Sequence, residues 1–241
     1  FGMCGRLVIT EPDLSVFVAP FHVQQMGDVS EWVPRFNLAP TQLAPLVTNE
    51  PQRRLTLARF GLVPSWAESA KVANKLINAR AEGVAGSKAF GRALRSRRGV
   101  VPVSGYFEWQ TTPGGKKRPL FIHATHGQPL ALAALWDRWH GPDGEVIESF
   151  AVITRAATGF LESVHSRMPL SLHPQDIERW LSPQVTTPQE LESVLTAAPE
   201  VEHLAARPVS ALANSPNNDA PDCIVEAAES AEPPEPRHSR R

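Results

Sequence analysis

Four side chains stand where their neighbours would sharpen their chemistry: Cys4 in Met3-Cys4-Gly5-Arg6, Asn78 in Ile77-Asn78-Ala79-Arg80-Ala81-Glu82, Glu108 in Gly105-Tyr106-Phe107-Glu108-Trp109, and His165 in Val164-His165-Ser166-Arg167-Met168-Pro169. If Met3 is the initiator, its removal makes Cys4 the N-terminal residue, with a thiol and a free amine on adjacent carbons. An α-amine has a reference pKa of about 7.7–8.0, so a useful fraction is unprotonated at neutral pH. Such a pair attacks an aldehyde: the amine forms a Schiff base and the thiol closes a thiazolidine ring. The same cysteine also reads as a small buried residue at the start of a strand. Glu108, flanked by aromatics, would be partly desolvated, which raises a carboxyl pKa and suits it to proton transfer; on an alternating strand it could instead face outward. His165 beside Val164 fits a structural histidine as well as an acid/base. Asn78, Arg80 and Glu82 occupy alternate positions and would share one face of a strand. Trp66, after Gly61-Leu62-Val63-Pro64-Ser65, fits either a base-stacking surface or the core.

The sequence contains no GxSxG, HExxH or P-loop pattern. Its two cysteines, Cys4 and Cys223, make neither a disulfide framework nor a CxxC zinc spacing. A reduced, cytoplasmic setting follows from that cysteine usage. No apolar run is long enough for a membrane helix.

The elements that must position these residues are short. Apolar and β-branched runs predict strands over 4–9, 43–48, 55–60, 100–103, 119–123, 130–136 and 149–154. Helices are expected over 87–96, 174–181 and 188–197, the last two with Pro near the first turn. Turn chemistry at Thr112-Pro113-Gly114-Gly115 and Gly141-Pro142-Asp143-Gly144 separates strand pairs. Without long crossover helices, antiparallel hairpins follow more naturally than a βαβ repeat. The expected fold class is α+β: one domain around a twisted, mostly antiparallel, barrel-like sheet with peripheral short helices. Residues 1–2 read as a remnant ahead of Met3, residues 3–225 as the domain, and 226–241, without a large apolar residue, as a disordered tail.

With 241 residues, 24 Lys plus Arg and 25 Asp plus Glu, the net charge is -1. That average hides an asymmetry. Residues 53–118 hold 14 basic and three acidic residues, and residues 119–236 hold five basic and 17 acidic. A block this basic is the footprint of a polyanion site, or a solvated helix face; charge alone does not choose.

Taken together and in order, six segments resemble the SRAP family of SOS response-associated peptidases and abasic-site-processing proteins, of bacterial type. They are Met3–Arg6, Arg35–Thr41, Phe60–Trp66, Ile77–Glu82, Gly105–Trp109 and His165–Pro169. The resemblance spans about residues 3–225. It implies a single domain with a positive groove, single-stranded DNA containing abasic sites as partner (with single/double-strand junctions as one context), and covalent capture of the abasic aldehyde. Carried over by motif, Cys4 is the nucleophile, Asn78 orients the cysteine or the opened sugar, Glu108 transfers the proton for Schiff-base formation, and His165 is a second acid/base. Arg6, Arg80 and Arg167 match positions that grip flanking phosphates, and Trp66 matches an apolar wedge against the bases. No metal and no organic cofactor is called for. A monomer, free of membrane and associated with the nucleoid when on DNA, is expected. Gly83 departs from the family pattern, in which a β-branched residue is common, but touches none of these residues.

The leader matters more. With Phe1-Gly2-Met3 attached, the Cys4 nitrogen is an amide and cannot form a Schiff base; the family is also associated with autoproteolytic removal of such residues. Two other readings stand beside covalent capture. One is a thiol peptidase using Cys4, His165 and Glu108. The other is a noncovalent binder of single strands or modified bases.

Overall fold

A computed structural model describes residues 4–197 and 201–227. In chain order the strands are β1 (Leu7–Ile9), β2 (Gln25–Met26), β3 (Arg35–Leu38), β4 (Leu43–Thr48), β5 (Arg54–Phe60), β6 (Asn78–Arg80), β7 (Arg98–Val103), β8 (Gly105–Thr111), β9 (Lys117–Ala124), β10 (Leu130–His140), β11 (Val146–Ala156), β12 (Arg167–Pro169) and β13 (Leu204–Pro208). The α-helices are α1 (Leu14–Phe17), α2 (Gly91–Ser96), α3 (Pro174–Leu181) and α4 (Pro188–Thr196), with short 3₁₀ turns between elements. The fold is α+β, as the sequence predicts.

Five strands close on themselves in the order β11-β10-β7-β4-β5-β11. Four of the seams are antiparallel, and the fifth, β5 against β11, is parallel. Phe60 and Phe150 face each other across that last seam and stack with ring centroids 5.2 Å apart. Closure removes the free edges that an open sheet would present. The interior is filled by small and branched side chains, among them Leu46, Val101, Leu132, Ala134 and Val152, all fully buried. The hairpin of β10 and β11 turns at Gly141–Gly144, where Gly144 has φ +83°, and that of β8 and β9 turns at Thr112–Gly115; both match the expected turns.

A second sheet, in the order β13-β9-β8-β1-β3, lies beside the barrel. Its centre is the β8–β1 pair, with Leu7 opposite Tyr106 and Val8 opposite Gly105. Gly105 is fixed by space: a Cβ there would collide with the Ile122 carbonyl oxygen and the Phe121 ring.

The helices are held by polar groups that hydropathy does not reveal. Arg98 is fully buried, and its guanidinium donates to the carbonyl oxygens of Leu94 (2.9 Å) and Arg95 (3.1 Å) in α2 and of Trp180 (2.7 Å) in α3. It thereby satisfies carbonyls that helix ends leave without partners, and burial pulls its pKa down to about 10. Helix α4 starts with a capping box, the Thr187 hydroxyl accepting from the Glu190 N–H and Glu190 accepting from the Thr187 N–H at 2.9 Å. The buried Asn37 accepts from Arg6 and donates to the carbonyls of Ser215 (2.9 Å) and Asn218 (2.8 Å). Asp219 accepts from the N–H groups of Phe36 and Asn37 at 2.6 and 2.7 Å. The Arg35–Thr41 segment thus ties the C-terminal segment to β3. Glu226 bridges to Val209 and the Ala227 N–H bonds Pro208, so the first two residues of the expected tail are paired. The rest of that tail, and residues 1–3, lie outside the described residues. No helix among the described residues is long and apolar enough to cross a membrane.

Candidate functional site

Antiparallel pairing of β1 with β8 leads the segment before β1 back along β8. That brings Cys4 to Glu108, 104 residues away: the Cys4 N–H donates to Glu108 Oε1 at 3.2 Å. Cys4 is fully buried and adopts φ +44°, a left-handed conformation that costs a non-glycine residue about 1–2 kcal/mol. Burial pushes its thiol well above the ordinary value and Glu108 adds to that, while Arg167 pulls the other way. The thiol therefore stays protonated at neutral pH. Burial likewise raises Glu108, to about 7, against the opposing pull of the Cys4 N–H and Lys117. A carboxyl poised near 7 can both donate and accept a proton at physiological pH.

Tyr106 shares the Glu108 face of β8, two residues along. It is 2% exposed, its hydroxyl has no hydrogen-bond partner, and burial together with Cys4 and Glu108 holds its pKa well above 10. Sequence reading passed over Tyr106 as part of a motif; the signal that finds it is its place in the strand register beside Glu108.

Asn78 and Arg80 lie on β6, which pairs with β11 at Val152 and Thr154. Asn78 is half-buried and Arg80 exposed, with the buried Ala79 between them on the other face. The strand stops there and Glu82 falls in the following 3₁₀ turn, so the expected three-residue face is two residues long. Glu82 instead reaches Arg167, on the strand that flanks β11 on the other side: Arg167 donates to Oε1 at 2.5 Å and Oε2 at 2.8 Å, and to the Thr154 carbonyl at 2.7 Å. That fork drives the Glu82 pKa down to about 2. His165 Nδ1 accepts from the Arg167 N–H at 3.1 Å, so its neutral form carries the proton on Nε2.

Arg6 departs from the expected phosphate grip. It is 3% exposed, and it donates to Asn37 Oδ1 (2.9 Å) and the Ala213 carbonyl (3.1 Å) beneath the Trp109 ring. It forms part of the wall of a cleft of about 380 Å³, with Gly5, Pro40, Thr41, Ile77 and Trp109. Gly5 and Ile77 are the chain neighbours of Cys4 and Asn78, and a cleft of this size accommodates a nucleotide-sized group. Trp66 is 58% exposed, which removes the core alternative for it.

Part of the basic block is taken up within the protein. Arg98 is interior, Arg97 pairs with Asp137, Arg53 with Glu178, and Arg54 with Glu50 and Glu148. Lys71, Lys75, Arg80, Lys88, Arg92, Arg95 and Lys116–Arg118 remain exposed. Among the described residues no group of three His, Cys, Asp or Glu is arranged to hold a metal ion.

The family model of the SOS response associated peptidases, SRAP, matches residues 3–216. The chain belongs to the SRAP family. The abasic site processing protein YoqW of Bacillus subtilis is 31% identical over 223 residues, covering 92% of this chain and 99% of its own. YedK of Escherichia coli, an abasic site processing protein, is 28% identical over 229 residues, 92% of this chain and 99% of its own. The abasic site processing protein HMCES of Gallus gallus is 29% identical, over 92% of this chain and 77% of its own. A crystal structure of a Bacteroides thetaiotaomicron protein superimposes with a TM-score of 0.81 at 24% identity, covering 93% of this chain and all of the other. That likeness shows a shared fold.

Proposed function

We propose that this protein repairs DNA by capturing abasic sites in single-stranded DNA as a thiazolidine crosslink to Cys4. The observation that carries the reading is the contact between the Cys4 nitrogen and a buried carboxyl raised to about 7. The residues ahead of Cys4 must first be removed, by processing or by the protein's own peptidase action, to turn its amide into an amine. Because the thiol is protonated, the amine attacks first. It adds to the sugar aldehyde to give a carbinolamine. Glu108, as the acid, protonates the departing hydroxyl, water leaves, and the protonated Schiff base forms beside the Glu108 carboxylate. The thiol sulfur then adds to the iminium carbon while its proton passes to the Glu108 carboxylate, which closes the ring with a neutral N–H and restores Glu108 as the acid. The net change is loss of one water.

Asn78, beside the cleft, orients the amine or the opened sugar. His165, with its Nε2–H available in the neutral form, assists opening of the sugar ring or release of the adduct. Arg80 supplies an exposed cation for a flanking phosphate, Arg167 does so by exchanging Glu82 for it, and Trp66 stacks on a flanking base. Arg6 shapes the cleft wall. The protein acts as a cytoplasmic monomer on single strands, including those at junctions. The raised thiol argues against a general thiol peptidase, which needs a thiolate.

Protein beginning at Cys4, incubated with a single-stranded oligonucleotide carrying an abasic site, is expected to give a denaturation-resistant complex whose intact mass is the sum of the two minus one water. Cys4→Ala should abolish it. An equal yield from the variant sinks the proposal, and salt-sensitive binding without any adduct would favour the noncovalent alternative.

A further inference from the structure

The exposed Trp66 sits on a loop whose backbone is fastened on both sides of it. Alternate residues are held from the barrel: the Val63 N–H donates to Ser149 Oγ at 2.8 Å, the Ser65 N–H donates to Asp137 Oδ2 at 2.8 Å, and the Ala67 carbonyl accepts from Trp139 Nε1 at 2.7 Å. Asp137 and Trp139 are two residues apart on β10 and so project from one face. They are 5% and 4% exposed. The other Asp137 oxygen is itself held by Arg97 and by the Arg138 N–H. At the loop's start Gly61 has φ +116°, and a Cβ there would lie 2.8 Å from the Ala73 carbonyl oxygen. The loop is therefore fixed at its entry and on either side of a large aromatic left facing solvent.

Nothing in the packing of the barrel requires that outcome. Burying Trp66 would remove apolar surface from water, whereas here buried polar groups of a barrel strand are committed to holding its two neighbours. An aromatic fixed in place loses less conformational freedom when a base stacks on it than one on a free loop. We infer that Asp137, seconded by Trp139, is a positioning residue that presents Trp66 to a base flanking the abasic site. This rests on the stacking role given to Trp66 above.

The test is a double-mutant cycle. The full chain beginning at Cys4 is titrated onto a single strand carrying a tetrahydrofuran abasic analogue, which has no aldehyde to crosslink, with 2-aminopurine as the neighbouring base. Trp66→Ala and Asp137→Asn are each expected to weaken binding about tenfold, within the range of one base–aromatic stack, and to relieve 2-aminopurine quenching. In Trp66→Ala protein, Asp137→Asn should cost nothing further. A role for Asp137 through charge alone predicts the opposite sign, since removing an acid tightens binding to a polyanion. Trp139→Phe keeps the ring but removes the bond to Ala67; it should reproduce a smaller loss and serves if Asp137→Asn fails to fold. If Trp66→Ala changes nothing, the stacking role and this inference both fail, while crosslinking through Cys4 is judged separately. If Trp66→Ala weakens binding but Asp137→Asn does not, or does so equally in both backgrounds, only the positioning role is overturned.

Discussion

The buried polar groups that hold the barrel to its helices and loops differ from those around Cys4 in the sheet beside it. Around the barrel and its helices Arg98, Asp137 and Ser149 are spent on structure: Arg98 on carbonyl oxygens at the ends of two helices, Asp137 on Ser65, Arg97 and Arg138, Ser149 on Val63. In the second sheet, around the Cys4 end of β1, the bookkeeping is left open. A non-glycine residue holds φ +44°, a buried carboxyl sits near 7, and a buried phenol has no partner. A strained or incompletely engaged group still has something to offer a substrate, whereas one already fully engaged has not.

The largest effect expected on either side of that contrast is Phe150→Ala. It empties the stacked pair at the parallel seam and should cost about 3–5 kcal/mol, read from denaturant unfolding. A loss under about 1 kcal/mol would mean that the seam does not hold the barrel closed.

Next comes Glu108. Its folded pKa of about 7 lies above the model-peptide value of about 4.3. The folded state therefore binds more protons between those two values, and stability falls as pH rises through that window, by up to about 4 kcal/mol. Glu108→Gln should flatten this dependence and be more stable than the parent at pH 8, while crosslinking falls at least a hundredfold. Retained pH dependence in the variant would place the titrating group elsewhere.

Smallest is Tyr106→Phe. Removing an unpartnered buried hydroxyl should leave stability unchanged or raise it by about 1 kcal/mol. A loss of 2 kcal/mol or more in thermal or denaturant unfolding would show that the phenol is bonded in solution after all.

Much of the frame was legible because its signals are local. The run Leu43–Thr48 and the helix Pro174–Leu181 have the expected bounds, and both glycine turns make hairpins. β3, β12 and β13 went unread because Arg35–Leu38, Arg167–Pro169 and Leu204–Pro208 are short and carry arginine or proline, so no alternation stands out. β8 was seen as a motif rather than a strand, since glycine and glutamate interrupt its aromatics. Closure through Phe60 and Phe150 was out of reach: it joins strands some ninety residues apart, and nothing local encodes that pairing. At the site, residue types named Cys4, Glu108, Asn78 and His165, and the fold supplied the Cys4–Glu108 contact. Arg6 and Arg98 read as surface cations because arginine almost never is fully buried unless paired. What buries them is a set of carbonyl oxygens brought in from distant segments.

The left-handed turn at Cys4 fixes where its nitrogen points. In that region the Cβ crowds the following carbonyl oxygen, at a cost of about 1–2 kcal/mol. The β1–β8 pairing holds Cys4 in that shape and so aims its N–H at the buried carboxyl of Glu108. A group fixed in place before a ligand arrives has less freedom to lose on binding, so the strain is met once, in folding, and not again at each encounter.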